Sequence, residues 1–119
     1  MGRYYSGDID GKFWFGVQAS DAADRFGSKG YEPSYLEYNY FNEHLADVET
    51  EIKNIEDALG DKVAVLDKFF SERGSYSDDD MASLGISKHD LMEYADLGLG
   101  KKIRDCIKEN GGCSFTAEL

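Results

Sequence analysis

The segment 43–59 has the sequence EHLADVETEIKNIEDAL, and it sets the expected architecture of the chain. Its apolar residues recur at steps of three and four, which is the spacing of one face of an α-helix. Asn42 is a candidate N-cap and Gly60 a candidate terminator, so we predict a long helix over 43–59. The apolar stripe of this helix consists of Leu45, Val48, Ile52, Ile55 and Leu59.

Most of the negative charge of the chain lies in this segment and in the residues just before it. Within residues 31–60, eight carboxylates accompany the single Lys53, which gives a net charge of -7 out of -11 for the whole protein. In a parallel homodimer Glu51 would meet Glu56 of the second copy, and this like-charge contact disfavours self-pairing in that mode. The stripe therefore either packs on a sheet of its own domain or meets a basic helix of a partner.

Composition bounds the class of protein. A chain of 119 residues with 41% hydrophobic and 13% aromatic residues is expected to form one α+β domain spanning 1–119. We find no apolar run of the roughly 18 residues that a membrane span needs and no secretion signal, so we expect a cytoplasmic protein. A pI of 4.5 argues against direct binding to nucleic acid or to anionic membranes, because both depend on Lys and Arg.

The N-terminal part of the chain predicts a hairpin and a short helix. Residues 3–18 are rich in aromatic and β-branched residues and are interrupted by a turn over 7–11. Ser20 is a candidate N-cap for a helix over 21–26, and Gly27 is its candidate terminator. A third strand over 34–41 follows, with one face formed by Leu36, Tyr38 and Tyr40.

Beyond Gly60 the pattern is helical. Cap residues and apolar spacing predict a helix from Asp61 to near Gly74 and an acidic helical turn from Ser77 to Leu84. Two further segments are predicted, one capped by Ser87 and Asp90, and one that contains Ile103, Cys106 and Ile107.

These elements predict an α+β fold. A small N-terminal antiparallel sheet, built as ββα and then a third strand, is packed by the long acidic helix and by a helical C-terminal half. A C-terminal strand over 113–119, after the turn at Asn110-Gly111-Gly112, is left open.

Three polar motifs favour structural roles. The segment 98–102, Gly-Leu-Gly-Lys-Lys, lacks the spacing and the hydroxyl residue of a phosphate-binding loop, so we predict a turn between two helices. Asp78-Asp79-Asp80 is typical of a helix N-terminus, with a metal or partner contact as the alternative. Ser6, Asp8 and Asp10 match the start of a calcium-binding loop, but Val17 stands where its bidentate Glu is needed, which favours a hairpin turn.

No catalytic, cofactor or metal site is predicted. Cys106 and Cys113 are too few to indicate a zinc site, and we interpret them as reduced, buried thiols. A disulfide across the Gly111-Gly112 turn stays open. We find no nucleophile paired with a base, so the chain is expected not to be an enzyme.

The basic and aromatic segment 12–17, Lys-Phe-Trp-Phe-Gly-Val, has two interpretations. Exposed rings on such a strand stack on the bases of single-stranded nucleic acid, but that function also needs a positive groove. Residues 1–30 contain four acidic and four basic residues, so they supply no positive field. We therefore predict that these rings pack in the core.

Residues 5–15, Tyr-Ser-Gly-Asp-Ile-Asp-Gly-Lys-Phe-Trp-Phe, and the short helix that ends at Gly27 resemble the opening of ArdA-type antirestriction proteins. The similarity covers about a quarter of the chain. The resemblance implies an acidic DNA mimic from a phage or mobile element, one that occupies the DNA groove of a restriction enzyme.

Two hypotheses of function follow. The first is an acidic inhibitor whose carboxylates replace phosphates on the basic surface of a nucleic-acid-binding defence protein. The second is a non-enzymatic adaptor that binds a protein through its aromatic or apolar surface. The oligomeric state is left open. The predicted partner-binding residues of the inhibitor are Glu43, Asp47, Glu49, Glu51, Glu56, Asp57, Asp78, Asp79 and Asp80.

Overall fold

The computed structural model describes residues 3–28 and 35–118 and shows an α+β fold. A four-stranded antiparallel sheet has the order β2-β1-β4-β3. Its strands are β1 (Tyr4–Gly7), β2 (Gly11–Lys12), β3 (Tyr35–Phe41) and β4 (Gly112–Glu118). The α-helices are α1 (Leu45–Leu59), α2 (Lys62–Glu72), α3 (Asp78–Ser83) and α4 (Lys88–Asn110), with 3₁₀ helices at Ala22–Phe26 and Asn42–His44. None of these helices is long and apolar enough to cross a bilayer.

The C-terminal strand, which the sequence left open, lies at the centre of the sheet. Ala117 of β4 pairs with Tyr5 of β1 on one side and with Leu36 of β3 on the other. The first and last segments of the described chain are therefore neighbours. Strand β4 links β3 to β1, so the four-stranded order depends on the C-terminal segment.

The two faces of the sheet differ in polarity, as in antiparallel sheets that are covered on one side. Tyr38, Tyr40 and Phe115 are buried on the inner face, and the rings of Tyr38 and Phe115 stack with centroids 5.2 Å apart. On the outer face the Ser114 hydroxyl donates to Asn39 Oδ1 at 2.8 Å. The prediction of one shared face for Leu36, Tyr38 and Tyr40 is confirmed.

Helices α1 and α4 cover the inner face. Val48, Ile52, Ile55 and Leu59 of the predicted stripe are buried in the same core cluster as the sheet residues, and Leu45 is partly buried against it. The stripe thus packs on its own domain, which was one of the two alternatives. The α-helix begins at Leu45 rather than at residue 43, because the chain first makes the 3₁₀ turn Asn42–His44.

The predicted turn over 98–102 is wrong, because α4 continues through this segment without interruption. Gly100 lies against Phe26, and a Cβ atom on Gly100 would be 2.5 Å from Phe26 Cε1. Leu99, next to Gly100, and Ile103, about one turn further along α4, are buried in the core. Burial of this apolar face outweighs the roughly 1 kcal/mol that a glycine costs inside a helix.

The N-terminal prediction needs a second correction. Strand β2 ends at Lys12 instead of reaching residue 18, and Trp14–Val17 forms a turn in which Val17 and Gln18 N–H groups donate to the Trp14 carbonyl. The short helix over Ala22–Phe26 is 3₁₀ and begins after Asp21, while the Ser20 hydroxyl accepts from Arg3 Nη1 at 2.6 Å. Trp14 leaves the sheet because it packs against a second cluster around Leu66, Met81, Ile86 and Leu91.

Candidate partner-binding surfaces

Some of the predicted acidic residues of α1 form ion pairs with neighbouring cations, and others do not. Glu49 Oε2 lies 3.4 Å from Lys108 Nζ, and Glu56 Oε2 lies 3.8 Å from Lys101 Nζ. Glu49 and Glu56 are seven residues apart on α1, and Lys101 and Lys108 are seven residues apart on α4. The two ion pairs therefore lie one after the other along the contact between the helices. Exposed pairs of this kind contribute little stability, but they neutralise this edge of α1.

Glu51 is the third carboxylate of α1 that makes an internal ion pair. Its Oε2 accepts from Arg25 Nε at 2.7 Å, and its side chain is only partly exposed. A carboxylate held in this way is a poor phosphate surrogate, because a partner would have to break the bond to Arg25.

The other acids of this region point to solvent. Glu43, Asp47 and Asp57 are exposed, and none of them forms an ion pair with a residue of the described ranges. They retain their charge for a partner.

The three acids in the first turn of α3 also differ in their contacts. Ser77, the predicted cap, forms a capping box with Asp80, and Asp80 Oδ1 lies 3.3 Å from Arg73 Nη1. Desolvation acts to raise the pKa of Asp80, but hydrogen bonds with Ser77 and the charge of Arg73 outweigh it, so the pKa is lowered. Asp78 and Asp79 are exposed and without an ion pair among the described residues.

The nine predicted site residues lie on two separate parts of the fold, and only some of them are free of internal ion pairs. The α1 acids belong to the helix that packs on the sheet, whereas α3 contributes Met81 to the second cluster. The carboxylates that internal contacts engage are Glu49, Glu51, Glu56 and Asp80. The "free acidic set", as we call the exposed remainder, is Glu43, Asp47, Asp57, Asp78 and Asp79.

A charged network that the sequence did not predict lies beneath α1. Arg25 Nη1 is 2.7 Å from Glu93 Oε2 and 2.6 Å from Asp96 Oδ2, and Gln18 Nε2 donates to Asp96 Oδ1 at 2.8 Å. Burial acts to lower the pKa of Arg25. The hydrogen bonds to Glu93, Glu51 and Asp96 outweigh burial, so the pKa of Arg25 is raised. Burial raises the pKa of Asp96, against the effect of Arg25 and Gln18.

This network is structural rather than accessible to a substrate. Asp96 is only 4% exposed, and its two carboxylate oxygens are taken by Gln18 and Arg25. The network joins the 3₁₀ helix Ala22–Phe26 to α1 and α4. Charged residues at inward positions of α4 were the only sequence signal, and the partner in the 3₁₀ helix lies about seventy residues away in the chain.

An aromatic surface surrounds Phe15. The prediction that the rings of segment 12–17 pack in the core holds for Phe13 and in part for Trp14, but it is wrong for Phe15, which is 79% exposed. One groove beside Phe15, of about 570 Å³, is lined by Trp14, Phe70 and Tyr76. A second, of about 480 Å³, also borders Phe15 and is lined by Val17, Met81, Ile86, Leu91 and Asp78 among others.

The two cysteines are free and buried, as predicted. Burial, followed by the neighbouring Cys106, raises the pKa of the Cys113 thiol, so this thiol is protonated at neutral pH. Their sulfur atoms lie close together and near the carboxylate of Asp8, a proximity that the spacing in sequence did not suggest.

Comparison with known proteins does not indicate a function for this chain. The functional argument therefore rests on the surfaces described above. The resemblance of residues 5–27 to ArdA-type antirestriction proteins stays a prediction. No protein-family model matches the chain, and neither a curated protein nor a solved structure is significantly similar to it.

Proposed function

We propose that this protein is an acidic inhibitor that binds the basic surface of a nucleic-acid-binding protein. The observation that supports the proposal is the imbalance left after internal pairing. Six cations of the described chain, Arg25, Lys62, Arg73, Lys101, Arg104 and Lys108, form ion pairs with its own carboxylates. The free acidic set remains exposed, in a protein of net charge -11.

Physical chemistry connects this imbalance to a nucleic-acid-binding partner. A groove that binds a duplex is lined with Lys and Arg, and carboxylates compete with phosphates for those cations. Long-range attraction between opposite charges speeds encounter and weakens as salt screens it. In this proposal Glu43, Asp47 and Asp57, on and just before α1, are one group of phosphate surrogates, and Asp78 and Asp79 at the start of α3 are a second. The resemblance to antirestriction proteins makes a host defence enzyme the first partner to test.

The test is affinity capture with the full chain from a bacterial lysate at low and at high salt. We expect proteins that are retained at low salt, lost at high salt and released when duplex DNA is added. Captured proteins that duplex DNA does not displace, or an empty capture at low salt, would contradict the proposal.

The exposure of Phe15 favours a second candidate function, an adaptor that binds an apolar segment of a partner protein. A large exposed ring between two grooves is typical of a protein-binding surface. This function predicts capture that changes little with salt and is lost in Phe15→Ala. The inhibitor function predicts that Phe15→Ala captures the same proteins as the native chain. The substitution is expected to change the free energy of unfolding by less than about 0.5 kcal/mol, since the ring is in solvent.

A further inference from the structure

Three ligand atoms of the kind that bind soft divalent metals meet at one end of the sheet. The sulfur atoms of Cys106 and Cys113 and a carboxylate oxygen of Asp8 all lie within 4.8 Å of one another. Cys106 is in the last turns of α4, and Cys113 is near the start of β4. Gly111, with φ of 79°, makes the tight turn that brings the two thiols together.

The spacing suits a tetrahedral metal ion. Zinc–sulfur bonds of about 2.3 Å and zinc–oxygen bonds of about 2.0 Å place neighbouring ligand atoms roughly 3.5–3.8 Å apart. Ligand atoms no more than 4.8 Å apart reach this arrangement with shifts of about 1 Å or less. Two thiolates and one carboxylate favour zinc over magnesium or calcium, which prefer oxygen ligands alone.

The ligands are held by bonds from outside the cluster. Asp8 Oδ2 accepts from the Ser114 N–H at 2.8 Å, and the Asp8 N–H donates to the Ser114 carbonyl at 2.7 Å. The Asn110 side-chain amide lies 3.7 Å from Cys106 Sγ and donates to it. Such contacts orient metal ligands and stabilise a thiolate.

A surface cavity gives the cluster a route to solvent. Its volume is about 350 Å³, and Asp8 and Cys106 are among its lining residues. Asp10, Asp105 and Glu109 line the same cavity and outnumber its one cation, Lys102, so the net negative charge attracts a cation.

We propose that Asp8, Cys106 and Cys113 form a binding site for Zn²⁺, with water as the fourth ligand. Binding of the ion releases one proton from each thiol into solvent. The oxidation state of the two sulfur atoms does not change. The ion joins the β1–β2 turn to the end of α4 and the start of β4, which lie far from that turn in sequence and next to it in the fold. This site is independent of the acidic surface.

The test uses Co²⁺ as a spectroscopic probe on the reduced full-length chain without oxygen. We expect one equivalent to bind with thiolate-to-cobalt charge-transfer absorption, and Zn²⁺ to displace it. Cys106→Ser and Cys113→Ser should each reduce that absorption, and Asp8→Asn should weaken binding at least about tenfold. Asp79→Asn, which removes an exposed carboxylate of α3 outside this cavity, should bind like the native chain.

Two results would overturn the site. One is the absence of thiolate absorption in the native chain. The other is equal binding by Asp8→Asn and Asp79→Asn, a comparison that tests ligation by Asp8 even if a cysteine variant fails to fold. Mass spectrometry of the native chain in the same buffer must show both thiols intact, and a loss of two hydrogen atoms would assign the pair to a disulfide instead.

Discussion

Arg25 Nη1 lies 2.6 Å from Asp96 Oδ2, and this contact joins the N-terminal 3₁₀ helix to the centre of α4. Replacing Arg25 by Met should leave Asp96 and Glu93 buried without their cation, and the free energy of unfolding should fall by about 3 kcal/mol. Arg104, which pairs with the neighbouring and exposed Asp105, provides the control. Arg104→Met should cost less than about 1 kcal/mol. Urea denaturation measures both, and equal losses would show that the network does not support the fold.

The two glycines inside α4 should respond in opposite ways to alanine. A Cβ on Gly100 would collide with Phe26, so Gly100→Ala should destabilise the protein by about 1–3 kcal/mol. Gly98 faces open space, and Gly98→Ala should stabilise it by up to about 1 kcal/mol, because alanine favours the helix. Thermal unfolding by circular dichroism compares the two variants. Equal and stabilising effects would mean that Gly100 is not in contact with Phe26.

The failure to predict α4 through this segment has the same cause. Gly98 and Gly100 look like helix terminators when only neighbouring residues are considered. The contact with Phe26, more than seventy positions away in the chain, turns Gly100 into a packing requirement. Local propensity was overridden by tertiary packing.

Other features followed from local pattern and were predictable. The stripe of α1, the capping boxes at Ser77 and Ser87, and the alternation of β3 depend on residues at most a few turns apart. The buried network and the thiol cluster were not predictable, because Arg25 with Asp96 and Asp8 with Cys113 meet only through the sheet order. For the same reason the sequence could not show which acids of α1 are paired. The ion pairs of Glu49 and Glu56 depend on how α4 lies beside α1.

Asp90 should make stability depend on acid pH. The Lys62 ammonium, 2.7 Å from Asp90 Oδ2, and the Ser87 N–H lower the pKa of Asp90 below its ordinary value of 3.8. Because the folded pKa is the lower one, the stabilising contribution is present above pH 3.8 and is lost as the pH falls through the lowered value. Asp90→Asn should therefore cost about 1 kcal/mol at neutral pH and progressively less in acid.

Urea unfolding at neutral and at acid pH tests this prediction. Glu109→Gln is the control, because Glu109 is exposed and forms no ion pair with a residue of the described ranges. It should follow the native chain at every pH. A gap between Asp90→Asn and the native protein that stays constant with pH would show that the charge of Asp90 contributes nothing.

In the proposed function, the free acidic set binds a basic partner in place of DNA. Neutralising its five carboxylates to Asn or Gln changes the net charge from -11 to -6. A matched variant with the same net charge neutralises five other exposed acids, Asp21, Asp61, Glu72, Glu109 and Glu118. Circular dichroism first establishes that both variants fold as the native chain does.

The decisive measurement is the amount of DNA-releasable protein that each variant captures from the same lysate at low salt. We expect that neutralising Glu43, Asp47, Asp57, Asp78 and Asp79 reduces capture at least about tenfold, while the matched variant captures nearly as much as the native chain. Equal capture by the two variants would contradict it, because binding would then follow net charge alone and not this surface.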